Sequence, residues 1–400
     1  MKLNRELNQY YTGCRDSDAL VSGVSLKYPS SALDLGFGSG NLLNAAKKRW
    51  NNIELIGLDI DQNNVTAAQI HHRFVALEMS GLDCDLPSKI SELFGSIDLL
   101  ISNPPYASIE LDRACKTILK RASLNECMPK NAKKVPSEII FLAQNLSLLT
   151  DQGEIGIILP SGIASGENWK PLRELLFTEY QVSNVSELPR NSFKGTDALA
   201  FIFRIRKKSN ERKNNTILNS VGGGPEISVS HDEAIFRCDY SHYTNFVNES
   251  NLITVDETKF SFFRGRHSNK HLELTGVKYV HSTDIKSSPI IGCVNEQEII
   301  PFTTTARAGD ILINRVGSRC VGRSAIVKSG YVGVSDCIIG VRPNTFQDGE
   351  KIKELIQSDD FRTYVDKSAL GVGARYLTYN IIKNFLTGSY DDFATKVGRL

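Results

Sequence analysis

Ala32-Leu33-Asp34-Leu35-Gly36-Phe37-Gly38-Ser39-Gly40-Asn41-Leu42-Leu43-Asn44-Ala45-Ala46-Lys47-Lys48 decides the fold class. A short apolar run holding one acid leads into three glycines at alternate positions, then into good helix formers. That is the pattern of strand, tight turn and helix. Outward from it the alternation continues. Ile53 to Leu58 predicts a second strand, ending at Asp59, and Ile97 to Ser102 predicts another, ending at Asn103-Pro104-Pro105-Tyr106. Ser137 to Leu149 has a helical apolar period, Glu154 to Leu159 reads as a buried strand, and Leu172 to Phe177 as a helix core. Val182 to Glu187 and Ala198 to Ile205 read as two further strands. A strand is also due between residues 70 and 85, but nothing there fixes its position. Strands alternating with helices predict an open α/β fold with a mostly parallel, twisted sheet.

A chain of 400 residues predicts two or three domains. With 41% hydrophobic and 23% charged residues it has ample material for a core. No apolar run approaches the ~20 residues that span a bilayer, which argues against an integral membrane protein. The start, MKLNRELNQYY, is too polar for a secretory signal, so a cytoplasmic location is expected. The eight cysteines form no CxxC pair and read as reduced thiols. Lys+Arg of 47 against Asp+Glu of 45 argues against a protein that coats nucleic acid non-specifically, though not against a local basic cleft.

The glycines at 36, 38 and 40 depart from a dinucleotide fingerprint, whose third glycine would stand at Asn41. Glycines let a ligand approach the backbone closely, and Asp59 stands where an acid accepts hydrogen bonds from ribose hydroxyls. Together they suggest an adenosine-containing cofactor. Asn103 to Tyr106 lie where open α/β sheets bind ligands, at the C-terminal end of a strand. The exocyclic amine of adenine is a poor nucleophile, because its lone pair is delocalised into the ring. The Asn103 side-chain oxygen and the Pro104 carbonyl can accept both of its N–H bonds and draw the nitrogen towards tetrahedral geometry. Pro104 and Pro105 stiffen the loop. Tyr106 offers a ring for stacking on a base and for stabilising positive charge. His71-His72 has no partners at metal spacing, so no metal site is expected.

In these motifs the first 206 or so residues resemble S-adenosylmethionine-dependent DNA adenine-N6 methyltransferases of the NPPY type, with the cofactor motif first. Gln9-Tyr10-Tyr11-Thr12 resembles the family's leading motif over the cofactor; Gly13-Cys14 departs from it, many relatives having a proline there. The resemblance implies a Rossmann-like class I methyltransferase domain. It implies cofactor binding by Tyr11, Thr12, Asp34, Gly36, Phe37, Gly38, Gly40, Asp59, Ile60 and Asn103. The acid for the cofactor's adenine amine would be Asp83 or Asp85, with Asp83 favoured. Leu188-Pro189 to Phe193, with Gly195-Thr196, resembles the motif whose aromatic ring stacks on the flipped base, which pairs Phe193 with Tyr106.

Residues 207–249 are expected as a linker or connection, with a polar composition and three consecutive glycines. Beyond it the α/β rhythm stops. Gly309 to Gly317, Gly322 to Val327, Tyr331 to Val334 and Cys337 to Arg342 predict short strands with glycine turns. Residues 250–400 resemble the α+β, β-rich target recognition domain of type I restriction specificity subunits. The runs GDILINRVGSRCVGRSAIV and SDCIIGVRP carry that likeness, with Phe262 to Arg266 and His281 to Ile285. One such unit implies a monomer reading one short, asymmetric site.

Basic residues cluster to match. Arg113, Lys116, Lys120, Arg121, Lys130, Lys133 and Lys134 follow Tyr106. Arg264, Arg266, His267, Lys270, Arg315, Arg319, Arg323 and Arg375 lie in the second half, and Arg264, Arg266, Arg315, Arg319 and Arg323 are the expected DNA contacts. The expected partner is double-stranded DNA, with no membrane, and any cognate restriction endonuclease would be a separate chain. The expected mechanism is base flipping and direct in-line transfer, with no metal and no strong general base. The alternatives are an RNA adenine or protein glutamine N-methyltransferase, a catalytically silent DNA-binding component, a bifunctional restriction enzyme, or a modification subunit active only with a partner.

Overall fold

The C-terminal ends of two adjacent strands carry the glycine turn and Asn103, and the sheet's order puts them side by side. The structure, a computed structural model, describes residues 12–71, 74–190, 192–193, 199–208, 214–244, 254–276, 278–286, 289–292, 304–317, 319–370 and 374–388. The chain divides into two compact units, Met1–Tyr240 and Ser241–Leu400.

In the first unit β1 (Ser31–Leu35), β2 (Glu54–Asp59), β3 (Val75–Glu78) and β4 (Leu99–Ser102) are parallel, β1 lying between β2 and β4. β5 (Ser108–Glu110) and β6 (Lys134–Pro136) form a small antiparallel pair after the Asn103 loop. β7 (Glu154–Pro160), β8 (Tyr180–Glu187), β9 (Ala200–Lys207), β10 (Asn215–Ser220) and β11 (Ile227–Ser230) complete a nine-stranded sheet. Its order is β11-β10-β8-β9-β7-β4-β1-β2-β3, with β9 antiparallel between β7 and β8. Every residue of β1, β4 and β7 is buried, as strands covered on both faces require, which is why they read as continuous apolar runs. β3 is the edge strand that the sequence did not place: only Ala76 of its four residues is fully buried, so it shows no apolar run.

The expected connection at 207–249 needs correction. β10 and β11 lie inside it and extend the first sheet, and the helix His231–Phe236 follows them. β10 buries alternate residues, Thr216 and Leu218, and the Thr216 hydroxyl donates to the Val182 carbonyl at 2.7 Å. Arg173, fully buried, fixes the end of that helix by donating to the carbonyls of Ile235 and Phe236. A strand buried on alternate positions looks polar in sequence. Gly222 to Gly224 make the turn between the two strands, with Gly223 and Gly224 at φ +100° and +119°.

The second unit is α+β. A five-stranded sheet runs β12-β19-β16-β17-β14, and a three-stranded one β13-β18-β15. Their bounds are β12 Phe260–Arg264, β13 Tyr279–Val280, β14 Ile290–Ile291, β15 Thr305–Arg307, β16 Ile311–Asn314, β17 Ser324–Ser329, β18 Tyr331–Val334 and β19 Ile338–Pro343. Three helices follow, Phe346–Gln357, Asp359–Ser368 and Tyr379–Thr387. The period of two in β16 serves two cores. Ile311 and Ile313 pack with the helices, and Leu312 packs with Val332 and Val334 of the small sheet. Among the described residues no helix is long and apolar enough to cross a membrane.

Candidate active site

The turn after β1 is held by its backbone. Gly36, Gly38 and Gly40 have φ of +79°, +52° and +75°, a region that strains any side chain. The Gly36 and Phe37 N–H groups donate to the Leu58 carbonyl at 2.7 and 3.1 Å, tying the turn to β2. The helix Asn41–Arg49 starts directly after Gly40.

Asp59, 4% exposed, ends β2 and organises the turn. Its Oδ2 accepts the Gly38 N–H at 2.8 Å and the Asn64 amide at 3.3 Å, and its Oδ1 accepts the Asp61 N–H at 2.8 Å. Burial raises its pKa, and these hydrogen bonds pull it back. A carboxylate has roughly four acceptor positions, so this arrangement leaves one, on Oδ1, for a ribose hydroxyl. Asp34, 1% exposed, has a buried Oδ1 with no hydrogen-bond partner. Burial, and then the nearby Asp59 charge, push its carboxyl well above the usual range.

A cavity of about 290 Å³ opens beside the turn. Leu58, Ile60, Leu82, Ile109 and Phe141 give it apolar walls, and Gly36, Gly38, Asp59, Asn103 and Pro105 complete one side. A smaller recess of about 20 Å³ shares Gly36, Gly38 and Asn103 and adds Thr12, Asp34, Phe37 and Asn41. Apolar walls suit an adenine ring, Asp59 suits a ribose, and an unpartnered buried carboxylate suits an ammonium group. The residues present therefore fit S-adenosylmethionine.

Asn103 stands between cavity and loop. Its Nδ2 donates to the Thr12 hydroxyl at 3.0 Å, and its Oδ1 accepts from the Tyr106 hydroxyl at 3.3 Å. The Asn41 amide donates to the Thr12 carbonyl at 2.7 Å, which joins the glycine turn to the same network. The Ser102 hydroxyl donates to the Leu35 carbonyl at 2.8 Å and keeps the ends of β4 and β1 together. Pro104 is buried, and the Pro105 carbonyl accepts from the Ser137 hydroxyl at 2.5 Å. Burial, aided by the Glu138 charge, pushes the Tyr106 hydroxyl above the usual tyrosine range.

Some expected residues are not arranged as expected. Tyr11, like Gln9 and Tyr10, lies outside the described residues, as do Gly195 and Thr196. Phe193 is near Tyr106, with centroids 6.4 Å apart, but the rings are perpendicular at 89° and Phe193 is 2% exposed in the core. The two rings do not present parallel faces to a base. Asp83 does not line the cavity: its carboxylate accepts from Lys89 at 2.6 Å and from the Asp85 N–H at 2.9 Å. Asp85 does not line it either, and Met79 to Leu82 form the wall there. The sequence reading also missed Phe141 and Gln144 on the helix Ser137–Leu148. Phe141 lines the cavity, and Gln144, fully buried, donates to the carbonyls of Gly81 and Asp83 at 3.0 and 2.7 Å. The run of apolar residues from Ile139 to Ala143 that leads into Gln144 was the available signal.

In the second unit the Nε groups of Arg264 and Arg315 converge on the Asp336 carbonyl at 3.3 and 2.9 Å. Arg266 is exposed. Arg319 and Arg323, both exposed, line a polar cavity of about 810 Å³ with Lys286 and Arg362. Arg375 is paired with Asp366 at 3.0 Å. In the first unit Lys134 is paired with Glu110, and Arg121 donates to Gln144, Ser147 and the Cys84 carbonyl.

Comparison with known proteins gives the following. The family model N-6 DNA Methylase matches residues 3–251. An uncharacterized protein, MG259, of Mycoplasma genitalium is 35% identical over 91 residues, 23% of this chain and 20% of that protein. The type II methyltransferase M.CvrRI of Paramecium bursaria Chlorella virus XZ-6E is 22% identical over 181 residues, 45% of this chain and 43% of that protein. This chain therefore matches less than half the length of either relative. The crystal structure of the type IIG restriction endonuclease BpuSI aligns with a TM-score of 0.52 at 14% identity. The alignment covers 98% of this chain and 61% of that one, and at this identity the likeness is one of fold.

Proposed function

This chain belongs to the N-6 DNA methylase family, and on that premise we propose that it methylates the N6 amino group of adenine in a short sequence of double-stranded DNA. The observation that carries the reading is Asn103, held by Thr12 and Tyr106 at the end of β4 and beside the glycine-turn cavity. S-adenosylmethionine, when bound, supplies the methyl group on its sulfonium sulfur, a C–N bond forming as the C–S bond breaks. Asp34, Asp59, Ile60, Phe141 and the glycine turn would hold it, with Thr12 and Asn103 at its reactive side.

The acceptor base is drawn from the DNA stack, at a cost of a few kcal/mol. The Asn103 Oδ1 and the Pro104 carbonyl accept the two N–H bonds of its amine. Tyr106 stacks on the ring and Phe193 braces Tyr106 edge-on. Holding the acceptor in line is the main catalytic device. The extra proton leaves N6 for water, so no strong general base is assigned.

The second unit supports DNA over RNA or a protein amide as the substrate. It would read the target through Arg264, Arg266, Arg315, Arg319 and Arg323, of which the exposed Arg319 and Arg323 line the polar cavity and suit phosphates. Replacing Arg319 or Arg323 by alanine weakens binding to all DNA sequences alike. Each change lowers the slope of log affinity against log salt by roughly one. Titrations at several salt concentrations check this, and an unchanged slope removes the residue from the phosphate contacts.

The deciding experiment is base-resolution detection of N6-methyladenine in DNA from a methylation-free host expressing this chain alone. One modified adenine within a fixed short motif supports the reading and reveals the target. No modification, with S-adenosylmethionine bound normally, moves the assignment to a partner-dependent subunit or to an RNA or protein substrate.

A further inference from the structure

The first turn of the helix Ser137–Leu148 carries a carboxyl group that the reaction described so far does not use. Glu138 is 8% exposed, and its Oε2 is buried without a hydrogen-bond partner. Ser137, next to it, is tied to both sides of Tyr106. Its hydroxyl donates to the Pro105 carbonyl and accepts the Ala107 N–H at 3.0 Å, while its own N–H donates to the Ala107 carbonyl at 2.8 Å. The Glu138 charge acts on the Tyr106 hydroxyl, which in turn donates to Asn103 Oδ1.

We infer that Glu138 is a positioning residue of electrostatic kind: a buried carboxylate beside Tyr106 that favours positive charge on the acceptor amine. The inference rests on the reading of this chain as an amino-methyltransferase. The acceptor nitrogen becomes cationic as it gains its fourth bond, and stays so until it gives a proton to water. A fixed anion on the acceptor side lowers the energy of that state. At an effective dielectric of ~20, a buried unit charge near the reacting nitrogen is worth on the order of a tenfold rate effect.

Elements packed against this helix bring other charges, each engaged elsewhere. Lys89 is bound to Asp83, Lys134 to Glu110, Arg121 to Gln144 and Ser147, and Glu154 to Ser25. The remaining charges of the helices Leu86–Phe94 and Arg113–Arg121 are exposed. Burial pushes the Glu138 carboxyl up to about 7, its own backbone N–H opposing. The charge is therefore present above neutral pH and lost below it.

The test compares wild type, Glu138→Gln and Glu138→Asp. Single-turnover methyl transfer to DNA is followed from about pH 6 to about pH 8.5, and pH-difference infrared spectra are taken of the ligand-free proteins. In wild type the rate rises about tenfold through about pH 7. Glu138→Gln loses that step and stays near the low-pH rate with unchanged cofactor affinity, whereas Glu138→Asp keeps a step. A carboxyl band that titrates near neutral pH is present in wild type and missing in Glu138→Gln. A Gln variant with the full rate and the same pH step overturns the inference, as does the absence of that band from wild type. Active wild type with a flat profile overturns the inference alone. Wild type inactive on DNA overturns the functional reading and this inference with it.

Discussion

Replacing Asn103 by alanine lowers single-turnover methyl transfer by ~100- to 1,000-fold or more, while S-adenosylmethionine affinity stays within a few-fold of wild type. The effect is large because the acceptor amine has little nucleophilicity of its own. Its lone pair becomes available only when both N–H bonds are drawn out of the ring plane. In the proposed reaction one of the two acceptors for them is the Asn103 side chain, whose orientation is fixed from both ends. Nδ2 donates to Thr12 and Oδ1 accepts from Tyr106, so the oxygen is held on the Tyr106 side. Asn103→Ala removes the acceptor and releases Thr12 and Tyr106 together. The anchors proposed for the cofactor, Asp34, Asp59 and the glycine turn, are other residues, so rate and affinity should separate. Rapid-quench kinetics with calorimetric titration of the cofactor check both parts. Methylation by Asn103→Ala within about tenfold of wild type would remove Asn103 from the assigned role.

The parts of this site that could be read in advance are those whose chemistry is written locally. Positive φ at alternate positions demands glycine, so Gly36, Gly38 and Gly40 announce their turn. An acid at the end of a buried parallel strand, beside a glycine turn, stands out as Asp59 does, and it organises that turn through Gly38, Asp61 and Asn64. Asn103 to Tyr106 are contiguous and stand directly after an apolar run. Contacts made across the sequence left no such trace. Asp83 and Asp85 look alike two residues apart, and only the placement of Lys89 shows that Asp83 is engaged in an ion pair outside the cavity. Phe141 sits in a helix that is buried on nearly every face, ten of its twelve residues being buried, so periodicity could not mark the face that meets the cavity. Phe193 was legible as an aromatic near Tyr106, but its edge-on angle depends on core packing. β10 and β11 were lost in a polar segment because each buries only alternate positions. In the second unit glycine turns marked the strands, while the caps of the three C-terminal helices, Thr345, Ser358 and Thr378 with Gly388 at the last end, went unread.

Asp34→Asn raises the stability of the ligand-free protein above neutral pH and at the same time lowers S-adenosylmethionine affinity roughly ten- to a hundredfold. The two effects have opposite signs because they have one cause. Asp34 is 1% exposed, its Oδ1 has no partner, and the Asp59 charge is near. Its carboxyl is raised in the folded state by burial first and by Asp59 second. Such a group binds a proton more tightly folded than unfolded. Its contribution is most favourable below the unfolded aspartate value of about 4, and is lost as pH rises from there through the folded value. At neutral pH and above, the ligand-free chain therefore bears an unfavourable ionisation that asparagine does not have. An ammonium group beside the carboxylate removes that penalty, which makes the residue poor for the empty fold and good for the loaded one. Thermal unfolding between about pH 5 and about pH 8, with and without the cofactor, separates the terms. Wild type gains more from the cofactor at the alkaline end, and Asp34→Asn shows a shallower pH dependence and little gain from ligand. A variant with unchanged affinity would mean that the orphan oxygen faces something other than the ligand. Unchanged stability with lost affinity would mean that the carboxyl is already solvated in the empty protein.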